Sequence, residues 1–100
     1  MFDKLIGIEN RYDELNRLIA QGTSGDYSKI AEFNKERAVL EKLITRFQDY
    51  KSVLKDLEEA KKMLASAELK ELAEAEIPDL ESRQAELEEE MKQLLLPRDP

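Results

Sequence analysis

The chain of 100 residues contains no cysteine, no histidine and no tryptophan. Without cysteine it cannot form disulfides, so nothing in the sequence points to an oxidising compartment. Without cysteine and histidine it cannot build the usual zinc sites, nor the histidine-assisted nucleophiles of many hydrolases. Glycine and proline are also scarce, with three of each. These absences exclude large classes of enzyme and metalloprotein and leave long segments without a helix breaker.

Long apolar runs are absent as well. Charged residues make up 39% of the chain, and the mean hydropathy is −0.64. No stretch approaches the ~18–20 apolar residues that span a bilayer as a helix. The opening residues, Met1-Phe2-Asp3-Lys4, lack the basic and apolar regions of a secretory signal. We therefore expect no membrane segment.

The few glycines and prolines divide the chain into helical segments. Residues 26–77 contain neither, and a composition rich in Glu, Lys, Leu and Ala favours helix over sheet. We predict helices over about 3–20, 27–64, 67–76 and 78–96. Asp3, Asp26 and Ser66 are candidate N-caps, and Gly22 can adopt a positive φ after the first helix. Pro78 either kinks one helix or opens a new one, and the sequence leaves both readings open.

Each predicted helix carries apolar residues at steps of three and four, which places them on one face. In the second helix, two consecutive steps of three, ending at Tyr50, interrupt an otherwise heptad-like pattern. Arg37 and Lys61 occupy two expected seam positions, where long stems can cover apolar surface. The predicted faces are Leu5, Ile8, Tyr12, Leu15 and Ile19; Ile30, Phe33, Leu40, Ile44, Phe47, Tyr50, Leu54, Leu57 and Leu64; and Ile77, Leu80, Gln84, Leu87, Met91 and Leu94.

Helix length predicts the architecture. Residues 28–64 as one helix would span about 55 Å, whereas a compact globule of this size has a radius of gyration of ~13 Å. The apolar stripe of the long helix therefore needs an antiparallel partner, which residues 67–96 can supply. We predict a single all-α domain over residues 1–100. Its architecture is an elongated antiparallel helical hairpin or coiled coil with a third N-terminal helix, a three- to four-helix bundle.

Charge is distributed unevenly. Residues 1–65 hold 12 acidic and 12 basic side chains, whereas residues 66–100 hold 11 acidic and 4 basic ones, so the whole net charge of −7 lies in the last third. The densest part is Glu86 to Glu90. A solvated helix face explains this run; a contact surface for a basic partner and a carboxylate metal site are the alternatives. A di-iron bundle also needs histidine, which is missing.

We identify no candidate catalytic, cofactor-binding or metal-binding residue in the sequence. We expect neither a cofactor nor an enzyme activity in this chain. A general acid–base carboxylate needs a shielded pocket, and a helical rod offers few. The lysines at 51, 55, 61 and 62 are interleaved with carboxylates, so no basic stripe for nucleic acid forms. The glycines are isolated, so there is no phosphate loop.

Three segments carry a resemblance. Residues 1–5 and 11–15 read Met-Phe-Asp-Lys-Leu and Arg-Tyr-Asp-Glu-Leu, and residues 56–61 read Asp-Leu-Glu-Glu-Ala-Lys after Tyr50-Lys51. The end reads Leu-Leu-Leu-Pro-Arg-Asp-Pro from Leu94, following an acidic helix. In this order and spacing the chain resembles the N-terminal helical domain of the bacterial peptide chain release factor 1 family, the class I translation termination factors.

The resemblance implies a role in ending translation at the stop codons UAA and UAG, in the cytoplasm. Family members use a Gly-Gly-Gln motif for peptide release and a Pro-x-Thr tripeptide for codon reading, and neither motif occurs here. The catalytic and codon-reading domains are therefore expected outside this chain. The implied partners are the ribosome, at the stalk base of the large subunit, and the GTPase release factor. Residues 21–27 and Glu86 to Glu90 are the contact candidates.

Two other functions remain open from the residues alone. The heptad-like faces also suit a free-standing coiled-coil adaptor or oligomerisation module, which would form a stable oligomer where the accessory domain would be a monomer. A tRNA-binding helical arm is the third hypothesis, and the lack of a basic face argues against it. We expect a monomer that does not bind nucleic acid directly.

Overall fold

The computed structural model describes residues 2–22 and 26–97. Over these ranges it has three α-helices and no strand: α1 (Phe2–Gln21), α2 (Tyr27–Met63) and α3 (Lys70–Leu95). The prediction of an all-α fold is therefore confirmed. α1 and α2 begin and end within one residue of the ranges expected from the sequence, whereas the last two predicted helices differ.

The ends of α1 and α2 follow the local chemistry of their residues. Gly22 has a φ of 61°, a left-handed conformation that ends α1. Asp26 precedes α2, and its Oδ1 accepts a hydrogen bond from the Lys29 N–H at 3.2 Å. This is the N-cap predicted for that position. Asp3 lies inside the first turn of α1, so it favours the helix N-terminus by its charge and not as a cap.

The chain divides into two compact units, residues 1–45 and 46–100, and α2 contributes to both. In the first unit Leu5 and Leu15 are fully buried on the predicted face of α1. Arg11 of α1 donates to both carboxylate oxygens of Glu36 on α2, at 2.7 and 2.9 Å. Arg37 donates to Asn16 Oδ1 at 3.1 Å, so this predicted seam residue does lie at the helix contact. The expectation of a single domain over the whole chain stays a prediction.

In the second unit the C-terminal half of α2 packs antiparallel to α3. Arg46 lies 3.9 Å from Glu90, and the Tyr50 hydroxyl donates to Glu88 at 2.8 Å. Nearer the turn, Ala60 and Leu80 line one groove. Positions that advance along α2 thus meet positions that recede along α3, as the predicted hairpin requires.

The buried face of α2 in this unit differs in detail from the prediction. Phe47, Tyr50 and Leu57 are buried as expected. Val53 is buried where Leu54 was expected, and Ala60 takes the place expected for Lys61, which is exposed. Three successive steps of three residues, from Ile44 to Val53, rotate the buried face of α2 toward Val53 and away from Leu54. Ala60 and Ala73, which are 1% and 0% exposed, were missed because the pattern counted only large apolar residues.

Two further expected seam positions are more open than predicted. Leu64 is 37% exposed because it lies in the turn after α2, beyond the helix pair. Leu94 is 36% exposed, while Leu95 next to it is half-buried. The predicted faces are therefore shifted within the C-terminal half of α2 and become exposed at the helix ends.

The predicted helices 67–76 and 78–96 are one helix, Lys70–Leu95, with Pro78 inside it. Pro78 is exposed, so the Glu74 carbonyl that it leaves without a helical donor lies on the solvent side. The packed face formed by Ala73, Ile77 and Leu80 continues past the proline. Packing of that face outweighs the ~3 kcal/mol that an interior proline costs.

Ser66 is not the N-cap of a helix at residue 67. Its carbonyl accepts hydrogen bonds from Leu69 N–H at 3.2 Å and Lys70 N–H at 2.9 Å. Residues 64–69 therefore form successive turns, and α3 begins at Lys70 behind an N-cap, Leu69, that makes no side-chain capping bond.

Candidate functional site

The acidic run from Glu86 to Glu90 is largely engaged in contacts within its own unit. Glu86 pairs with Arg83 at 3.2 Å, and Glu89 accepts from Gln93 at 3.1 Å. Glu90 lies 3.9 Å from Arg46. Since each of these carboxylates already has a partner, the interpretation of this run as a solvated, internally paired helix face gains support. Its use as a contact for a basic partner remains a prediction.

Glu88 is the most enclosed member of that run. It is half-buried and accepts hydrogen bonds from the Tyr50 hydroxyl at 2.8 Å and from Gln84 Nε2 at 3.3 Å. Tyr50 is only 6% exposed. Burial, followed by the bond to the Glu88 carboxylate, raises the pKa of Tyr50 above its ordinary value. This polar contact fixes the register of α2 against α3.

A second polar contact ties α1 to α2 in the first unit. Arg11 bridges Glu36 and Glu14, at 2.7 and 2.9 Å. The hydrogen bond from Arg11 lowers the pKa of Glu36 below its ordinary value. The same bond raises the pKa of Arg11. Both side chains stay about two-fifths exposed, so solvent screens the pair. Its contribution is to helix registry and not to chemistry at a site.

The other predicted contact segment, residues 21–27, is described only in part. Residues 23–25 lie outside the described residues. Of the remainder, Tyr27 is 81% exposed at the first position of α2, and Asp26 is committed to capping that helix.

A groove that the sequence reasoning missed lies between the end of α2 and the first half of α3. It has a volume of about 370 Å³ and is lined by Asp56, Glu59, Ala60, Met63, Glu76, Asp79 and Leu80. Each helix supplies two carboxylates spaced three residues apart, so that they project from one side of the helix. The repeated three-residue spacing is the sequence pattern that could have predicted this groove. It was missed because Asp56 and Glu59 were interpreted only as neutralising the neighbouring lysines.

The described residues hold neither a metal-binding cluster nor a membrane-spanning helix. Among residues 2–22 and 26–97, no three carboxylates are placed so that they could hold a metal ion. Over the same ranges, none of the helices combines the length and the apolar character that a bilayer crossing needs.

Comparison with known proteins decides the family. The model of the PCRF domain matches residues 8–100. The chain belongs to the PCRF domain family. The resemblance stated from the sequence is thereby confirmed, and the helices that carry the PCRF domain in this chain are α1, α2 and α3.

Curated relatives of this PCRF domain are similar along the whole chain. It is 44% identical to peptide chain release factor 1 of Geobacter sulfurreducens over 101 residues, which cover 100% of the chain and 28% of that protein. It is 42% identical to peptide chain release factor 1 of Geobacillus kaustophilus, covering 100% of the chain and 29% of that protein. For the Helicobacter pylori factor the identity is 40%, over 98% of the chain and 28% of that protein.

The chain therefore spans somewhat more than a quarter of the length of these relatives. It matches the PCRF domain and not a catalytic domain. No solved structure matches the chain significantly.

Proposed function

We propose that this PCRF domain is the N-terminal accessory domain of a peptide chain release factor that ends translation at UAA and UAG. The observation that carries the proposal is similarity along the whole of this chain to part of proteins named peptide chain release factor 1, at 36–44% identity. The whole factor acts on the ribosome and promotes hydrolysis of peptidyl-tRNA, in the cytoplasm.

Within that factor, this chain serves binding and not catalysis. It contributes contacts to the stalk base of the large ribosomal subunit or to the GTPase release factor that recycles the complex. Support comes from its polar contacts and its core: Arg11 pairs with Glu36 and Tyr50 with Glu88 between helices, and the aromatic rings of Phe47 and Tyr50 are buried. General acid–base catalysis at a carboxylate needs a shielded site, and the groove carboxylates are exposed.

A termination assay tests this proposal. Ribosomes carrying labelled peptidyl-tRNA are programmed with UAA, UAG or UGA, and released peptide is counted. We expect the isolated chain to release none. The complete protein that contains it should release peptide at UAA and UAG and not at UGA. Release by the isolated chain, or equal release at UGA by the complete protein, would contradict the proposal.

A further inference from the structure

The groove between α2 and α3 has an apolar floor. Ala60 is 1% exposed at its base, and the half-buried side chains of Met63 and Leu80 form its sides. The hollow exists because a methyl group stands on the buried face of α2 where the preceding seam positions carry larger side chains. At about 370 Å³, it falls in the lower part of the size range of specific binding pockets.

The rim of the groove is acidic on both sides. Asp56 and Glu59 stand on α2, and Glu76 and Asp79 stand on α3. Within the described part of the chain, these four carboxylates form no ion pair or side-chain hydrogen bond. They differ in this from the run at Glu86 to Glu90, whose members have partners. Four like charges held around one hollow repel one another, and a cationic occupant would relieve that repulsion.

Exposed leucines lie between the groove residues of α2 and those of α3 in the sequence. Leu64 follows Met63 directly and is 37% exposed; Leu69 and Leu72 are 42% and 51% exposed. Leu72 lies four residues before Glu76, so the two side chains share one face of α3.

We propose that this groove docks a segment of a partner protein in which an apolar side chain is flanked by lysines or arginines, most simply one face of a cationic amphipathic helix. The apolar side chain fills the hollow above Ala60, and the flanking cations meet the carboxylates of the rim. This is the helix-in-groove mode of recognition, with charge complementarity setting the orientation.

A protein segment fits this surface better than RNA does. Nucleic-acid binding depends on neutralising phosphates with basic side chains, and the rim presents carboxylates from both helices. The apolar floor also favours a ligand with an apolar side chain over a purely cationic ligand, which has no group to contact it. The inference rests on the proposed function in one respect, that the chain serves to bind a partner protein.

The test is a titration of the isotopically labelled chain followed by NMR, with the methyl signals of Ala60, Met63 and Leu80 as reporters. The probe is a synthetic helical peptide of leucines and lysines arranged on opposite faces. The comparison ligands are an oligolysine of equal charge, the same peptide with glutamine in place of leucine, and a short RNA duplex. We expect only the leucine–lysine peptide to saturate the three reporters.

A charge-neutral variant of the rim is compared with a matched control. The groove variant combines Asp56→Asn, Glu59→Gln, Glu76→Gln and Asp79→Asn. The control removes the same charge at exposed sites that do not line the groove: Glu68→Gln, Glu71→Gln, Glu74→Gln and Glu81→Gln. We expect the groove variant to bind the peptide about tenfold more weakly or worse, and the control to bind within about twofold of the parent, since four exposed pairs each contribute modestly. All affinities should fall with added salt.

Three results would overturn the inference: equal binding by the groove variant and the control, equal response to oligolysine, or saturation of the same methyl signals by RNA. Its failure is distinguishable from failure of the proposed function, because peptide release by the complete protein does not depend on this titration. Normal stop-codon-specific release with no groove binding would remove the groove proposal alone. Groove binding by a chain whose complete protein does not terminate translation would remove only the proposed function.

Discussion

Tyr50 combines three roles at a single position of α2. Its ring lies on the buried face of α2, and its hydroxyl donates to Glu88 across the helix pair. It also ends the second of two consecutive three-residue steps in the apolar pattern of α2. The sequence identified it as a core residue from its spacing. The hydrogen bond could not be predicted, because it depends on the register of α3 and not on the sequence near Tyr50.

Replacing Tyr50 with phenylalanine should lower the free energy of unfolding by about 1–2 kcal/mol, since a buried donor to a carboxylate is removed. Urea unfolding measures the change, and Tyr27→Phe, at an 81% exposed position, is the control with little expected effect. Equal losses in both variants would contradict the role given to the Glu88 contact.

The raised pKa of Tyr50 predicts a loss of folding stability at alkaline pH. Because the pKa of Tyr50 is raised in the folded state above its ordinary value of 10.0, the contribution of its protonated hydroxyl is complete below pH 10.0 and is lost as the pH rises through the folded pKa. The parent chain should therefore lose more stability above pH 10.0 than Tyr50→Phe does. Parallel pH profiles of the two proteins would refute this.

The lowered pKa of Glu36 predicts a loss of folding stability at acid pH, opposite in direction to the alkaline loss from Tyr50. The bond from Arg11 lowers its pKa below the ordinary value of 4.5, so its contribution to stability is present above pH 4.5 and is lost as the pH falls through the lowered folded pKa. Glu36→Gln should flatten the acid side of the stability profile, modestly because the pair is screened by solvent. Glu32→Gln, at an exposed position of the same helix, is the control that removes a carboxylate without removing the Arg11 contact.

At the scale of elements, some helix ends can be predicted from the sequence and others cannot. Asp26 and Gly22 were predictable because a cap and a left-handed residue act on their own backbone neighbours. Ser66 was not, because the turns that follow α2 use its carbonyl instead. Pro78 was undecided for a related reason: local geometry disfavours helix there, and only the packing of the whole face of α3 reverses that preference.

Leu57 and Leu87 test the pairing of α2 with α3. They are 5% and 0% exposed, and either one changed to alanine should lower the free energy of unfolding by about 2–4 kcal/mol. Leu72→Ala, at a 51% exposed position on α3, should change it by less than about 1 kcal/mol. Losses under about 1 kcal/mol for both buried leucines would remove the proposed helix pairing.

Pro78→Ala should stabilise the chain, because it restores the hydrogen bond to the Glu74 carbonyl without touching the buried face. We expect a gain of about 1–3 kcal/mol. Pro97→Ala lies beyond the end of α3 and serves as the control, with a change within about 0.5 kcal/mol. A loss of stability in Pro78→Ala would mean that the helix needs the proline to pack.

At the scale of the molecule, the placement of the charged side chains informs function and not fold. The surplus of negative charge in residues 66–100 was evident from the sequence, but the structure separates the partnered run from Glu86 to Glu90 from Glu76 and Asp79, which are exposed and line the groove. That division arises where α2 and α3 meet, so no reading of one helix could have found it. The family, by contrast, was accessible from residue order alone.

Oligomeric state distinguishes the accessory domain from the coiled-coil adaptor. We predict that the chain is a monomer at micromolar concentration, because the central apolar side chains of the helix pair, such as Phe47, Leu57 and Leu87, are buried within the chain. Sedimentation equilibrium provides the measurement. A stable dimer or tetramer would favour the adaptor.

The central claim is that the chain is a binding domain of a release factor. The direct measurement compares three forms of the Geobacter sulfurreducens factor: intact, lacking the region that matches this chain, and carrying this chain in its place. We predict that all three release peptide in a single turnover at UAA, and that turnover stimulated by the GTPase release factor is lost on deletion and restored by this chain. Turnover of the chimaera no better than that of the deleted form would contradict the account.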